Sequence, residues 1–148
     1  MAQNIFHPPV ISRQLGYAGA VPFVVGAIAA LPFSGIYRDS GIWLLLNYGA
    51  IIFSFMGGVH WGAAMLRGDL GIKTLGCSVI PSLISLLAVC LGANAGLWLL
   101  LIGFVGLLYY DEFETKHGRV PNWYPSLRRP LTCIVVSCLA IGAISAIY

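Results

Sequence analysis

From Ile42 to Leu66 the chain runs without one Asp, Glu, Lys or Arg, and the single imidazole in that run is His60. A run so long and apolar strongly narrows the fold. At about 1.5 Å per residue, roughly 20 apolar residues in helix span the ~30 Å hydrocarbon layer of a bilayer. Helix is the required form, because lipid offers no partner to a free amide or carbonyl. Four further runs share the pattern, about Gln14–Phe33, Thr74–Leu91, Ala95–Tyr110 and Leu131–Tyr148. A spanning barrel needs polar and apolar residues to alternate, which these runs do not do. The expectation is an all-α integral membrane bundle of five transmembrane helices forming one domain over residues 1–148.

Composition agrees. Only 9% of residues are charged and 59% are hydrophobic, with a mean hydropathy of +0.88, whereas soluble domains carry about 25% charged residues. The net charge of +3 does not form a patch for nucleic acid, because the basic residues are scattered between apolar runs. They read instead as a topology signal. Arg13, Arg67, Lys73, Lys116, Arg119, Arg128 and Arg129 fall on one side and Arg38 alone on the other. Basic residues in short loops stay in the cytoplasm. The N-terminus is therefore expected inside, the C-terminus outside, and the chain in a bacterial inner membrane or its organellar equivalent. The start, Met1 to Pro9, lacks the pattern of a cleaved signal, so the first run is expected to remain as a helix.

The connections divide the runs. Pro32–Gly35 closes the first, and the charged Arg67–Lys73 separates the second from the third. Gly92–Gly96 makes a tight turn between the third and fourth. Asp111 to Pro130 reads as the one long connection, holding most of the charge.

Several residues interrupt the apolar pattern. Pro22 and Pro81 lie inside runs, where each removes an amide donor and predicts a kink. Gly16 with Ala20, and Gly58 with Gly62, have the small-xxx-small spacing by which membrane helices approach closely; Gly57 adds to the same surface. Cys77, Cys90, Cys133 and Cys138 form no CxxC pair or zinc spacing and read as small hydrophobes. No metal-ligand set, phosphate loop or nucleophile–base pair is present, so no cofactor is implied.

His60 stands out, because an ionisable residue in a membrane helix usually faces the bundle interior and marks a functional site. A neutral imidazole bonded to a nearby carbonyl is the alternative. Helix order brings the ends of the fourth run, at Tyr110 and Asp111, and the start of the fifth, with Trp123, Tyr124 and Arg128, to the same end of the bundle as His60. A carboxylate beside an imidazole, held by an arginine, could relay a proton or grip a polar ligand. In the other reading Asp111 caps a connection, and Trp123 and Tyr124 belong to an interfacial aromatic belt. The candidate ligand or proton site is His60, Asp111 and Arg128, with Trp61, Tyr110 and Trp123 around it. Asn47 and Ser54 could extend a polar track toward the outer half. His7 and His117 lie outside the apolar runs, which argues against a haem held by two histidines.

Leu15–Gly19 with Pro22 and Phe23, the segment Tyr48–Gly62, Pro81–Leu83, and Asp111, Gly118, Pro121, Trp123, Tyr124, Leu127, Arg128, Leu131 and Thr132 together resemble a known family. It is a domain-of-unknown-function group of bacterial inner-membrane proteins that includes mitochondrial transmembrane protein 69. The resemblance covers most of the chain. It implies a multi-helix membrane protein and supplies no activity or catalytic residue. The residues themselves favour transport, permeation or small-ligand binding at the polar site. A non-catalytic accessory or assembly subunit of a larger membrane complex is the alternative, with a homo-oligomer also open; a membrane enzyme acting on lipid or quinone comes third, since no nucleophile or cofactor motif marks one.

Overall fold

With every backbone group to be satisfied internally, each apolar run has one economical solution, and the computed structural model, which describes residues 8–148, is built on it. Five helices follow one another: α1 Val10–Ala29, α2 Arg38–Arg67, α3 Ile72–Leu91, α4 Ala93–Lys116 and α5 Tyr124–Ser145, with a 3-10 segment Pro32–Tyr37 ahead of α2. There is no strand among the described residues. Four helices are long and apolar enough to cross a membrane, namely α2 with its 3-10 lead, α3, α4 and α5. The polar Ser12-Arg13-Gln14 in its first turns keeps α1 short of that standard, so the expected fifth span is a helix of the bundle whose crossing is not shown by its composition. His7 lies outside the described residues.

The centre of the bundle is α2, which packs against each of the other four helices. Phe23, Leu45, Leu97, Leu100, Phe104 and Leu139 are completely buried around it. Their rings interlock edge to face, with centroids 5.1 Å apart for Phe53–Phe104 and 6.2 Å for Phe23–Phe104, the arrangement favoured by the ring quadrupoles. Outward positions are apolar too, as at Leu83, Leu86 and Ile102, which suits a surface solvated by lipid. Pro22 and Pro81 both sit inside unbroken helices.

The structure corrects the boundaries most at the charged end. Helix α4 continues beyond Tyr110 to Lys116, and α5 starts at Tyr124 rather than Leu131. The expected long connection shrinks to residues 117–123. Hydropathy treats each charge as a separate cost, whereas here acids on α4 face arginines on α5 and are neutralised in place. Pro125 falls in the first turn of α5, where no amide donor is needed.

Two helices that run to this end close in the same way. Gly68 and Gly118 both take positive φ, +69°, which a side chain would resist. Asp69 N–H then donates to Ala64 O and Arg119 N–H to Glu114 O, the bond pattern that ties off a helix C-terminus. Arg67 and Arg119 are thereby fixed beside the same face of α4.

Candidate functional site

Asp111 is the hub. Its side chain is 1% exposed, and two other helices reach it. Arg128 Nε–H of α5 donates to Oδ2 at 2.7 Å, and His60 Nε2 of α2 lies 2.7 Å from Oδ1. Arginine only donates and an ionised carboxylate only accepts, so with Asp111 ionised the contact to His60 is made by an imidazole that carries its proton on Nε2. Both distances are in the range of charge-assisted bonds. His60 is 5% exposed and Arg128 7%. The ring of Tyr110 meets the imidazole edge-on, with centroids 4.9 Å apart. Helical spacing brings this about: Phe53, Gly57, His60 and Ala64 form one buried stripe of α2, and Leu107, Asp111 and Glu114 form another on α4.

Two of the expected site residues pack elsewhere. Trp61 is 40% exposed; one residue along a helix turns about 100° around its axis, so it faces outward and makes no wall beside His60. Trp123 sits at the start of α5 against Ala20, Leu127 and Leu131, edge-on to Tyr124. The glycines divide likewise. A side chain at Gly57 would strike the Ser78 carbonyl, and one at Gly16 would meet Leu131, so these positions allow helix contacts within the chain, with Ala20 buried beside Gly16. Gly58 and Gly62 have no described residue within 4 Å of an added Cβ and pack against none of the described helices. Asn47 bonds to Trp43 O in its own helix and Ser54 to Ser82, so neither extends the polar set.

Two participants, Glu114 and Thr132, are not singled out as site residues by the sequence. Glu114, one turn beyond Asp111, is 2% exposed and accepts from Arg119 Nη1 at 2.8 Å, with Arg67 Nη2 at 3.9 Å. Glu114 also holds the Arg119 guanidinium above its ordinary pKa through that hydrogen bond and its charge. Arg67 donates to Arg119 O as well. Thr132, one turn along α5 from Arg128, is 3% exposed. Arg128 Nη2 and Thr132 Oγ1 are both buried without a hydrogen-bond partner among the described residues. The i,i+3 spacing of Asp111 and Glu114 and the i,i+4 spacing of Arg128 and Thr132 were the available signals, and both depend on the segment being helical.

No group of three or more His, Cys, Asp or Glu among the described residues is arranged to hold a metal ion. The family model for a protein of unknown function, DUF3429, matches residues 8–144. The chain belongs to that family. A curated relative, Transmembrane protein 69 of Xenopus tropicalis, is 32% identical over 146 residues, covering 95% of this chain and 56% of that protein. The chain thus spans a little over half the length of the relative it matches. No solved structure matches it. Within the DUF3429 frame the chain is a multi-pass membrane protein, and its lipid surroundings follow from its spanning helices.

Proposed function

We propose that this protein binds a small ligand inside the membrane at the polar set formed by His60, Asp111 and Arg128. Asp111 is the fixed charge of the set, Arg128 its electrostatic partner and His60 the member able to exchange a proton. One observation carries the reading: a fully buried carboxylate is held by two side chains from two other helices, while Arg128 Nη2 beside it remains unpartnered. Buried polar atoms in proteins are nearly always paired, and an exception calls for a functional explanation. Binding is favoured over permeation because the core beyond the set is filled by fully buried apolar side chains such as Phe104, Leu100 and Leu97. The seven-to-one distribution of basic residues supports a cytoplasmic-side position for the set and an inner-membrane location.

The test is native mass spectrometry of the protein released from mild detergent. Wild type is expected to retain a small molecule that is lost in Asp111→Asn at equal folded fraction. Identical spectra for the two proteins would refute the reading.

A second reading, an accessory subunit of a larger membrane complex, draws on the open face at Gly58 and Gly62 next to exposed Trp61. Close packing of a partner helix there would use the small residues as membrane helices commonly do. Recovery of the chain as a lone monomer from mild detergent would argue against it.

A further inference from the structure

Arg128 and Thr132 both line a cavity of about 150 Å³ between α1, α2, α4 and α5. Apart from those two residues its walls are apolar, with Phe23, Phe55 and Phe104 supplying rings and Gly16 and Gly19 leaving space. Leu15 and Phe55 at its margin are 68% and 61% exposed, so the opening faces the lipid side of the bundle. An apolar cavity of about this volume is large enough for one six-membered ring.

The polar atoms narrow the chemistry. On these two lining residues, Arg128 Nη2 carries an N–H and Thr132 Oγ1 an O–H, each buried and without an acceptor among the described residues. Arg128 already balances Asp111 through its Nε. A second anion would leave the buried set with excess negative charge, which is costly in a medium of low dielectric constant. A neutral acceptor adds no charge and satisfies both donors. We infer that the cavity binds a neutral cyclic carbonyl compound with an apolar tail, a quinone by chemical class, reached laterally from the bilayer. Its carbonyl oxygen accepts from Arg128 Nη2 and Thr132 Oγ1, its ring lies among the three phenylalanines, and its tail leaves past Leu15 and Phe55. This deepens the ligand-binding reading above and rests on it.

The test is equilibrium binding of radiolabelled decyl-benzoquinone to the protein in phosphatidylcholine nanodiscs, corrected with protein-free discs. Wild type is expected to bind one equivalent saturably. Thr132→Val keeps the shape and removes one hydrogen bond, weakening binding about three- to tenfold. At Gly19 an added Cβ meets only the Tyr48 hydroxyl, at 4.0 Å, so Gly19→Leu fills the cavity with little disturbance and abolishes saturable binding. Melting temperatures near that of wild type show that both variants fold. Equal affinity in all three proteins, no saturable binding by wild type, or full displacement by equimolar diacylglycerol overturns the assignment. Neither substitution touches His60 or Asp111. A retained ligand mass that survives both but disappears in Asp111→Asn therefore overturns the cavity alone and leaves the polar-site reading standing.

Discussion

Replacing Asp111 by asparagine keeps the shape of the side chain and removes only its charge, leaving the Arg128 guanidinium buried without a counter-ion. The size of the loss follows from the geometry. Arg128 Nε lies 2.7 Å from Oδ2, and the carboxylate is 1% exposed. Opposite unit charges about 4 Å apart attract by about 4 kcal/mol at an effective dielectric constant near 20. Breaking buried pairs by removing one partner costs about 3–5 kcal/mol, because a stranded charge remains. Asp111→Asn is therefore expected to lose about 3–5 kcal/mol of stability. Removing both charges, in Asp111→Asn with Arg128→Met, strands nothing and is expected to return to within about 2 kcal/mol of wild type. Reversible unfolding in mixed detergent–SDS micelles measures both single variants and the double. A coupling energy of about 3 kcal/mol supports the buried pair; losses that add to within about 0.5 kcal/mol would show that the two side chains do not interact.

Three other outcomes follow from separate features. Gly57→Ala should destabilise the protein by about 1–3 kcal/mol through overpacking against the Ser78 carbonyl, while Gly58→Ala, with nothing near its Cβ, should be neutral or stabilising by up to about 1 kcal/mol from helix propensity; thermal melting in detergent compares them. Glu114→Gln should cost about 1–3 kcal/mol, since it weakens the bonds to Arg119 and Arg67 around a buried side chain, and a melting temperature unchanged from wild type would contradict the packing at this end. In a background lacking Cys77, Cys90, Cys133 and Cys138, a membrane-impermeant thiol reagent applied from outside should label Ile36→Cys and leave Asn122→Cys unlabelled in intact cells; the reverse pattern would invert the proposed orientation.

The helical class and the central place of His60 could be read from the sequence because both rest on local pattern. An uncharged run in lipid must be helical, and a lone imidazole within it stands out against its apolar neighbours. Helix ends at the polar face were less legible. Residues 111–130 read as a loop when each charge is weighed alone, yet Asp111 and Glu114 face Arg128, Arg119 and Arg67 and cost little as pairs. Without helix there, periodicity does not apply, so neither Glu114 one turn from Asp111 nor Arg128 one turn from Thr132 can be read as sharing a face. Trp61 shows the opposite limit. It adjoins His60 in sequence, but neighbours on a helix point in different directions, and only packing shows which one turns inward. The open Gly58 and Gly62 surface is a similar case, since small-residue spacing says that close approach is possible and not what approaches.

The contact between His60 and Asp111 is the claim on which the proposed site depends, and solid-state NMR reaches it directly. With the imidazole nitrogens of His60 labelled with ¹⁵N and the Asp111 carboxyl with ¹³C, the Nε2-to-carboxyl dipolar coupling reports the 2.7 Å nitrogen–oxygen contact. The account predicts a strong coupling to a protonated Nε2 in lipid bilayers. An absent coupling, with the imidazole bonded instead to a backbone carbonyl, would contradict it.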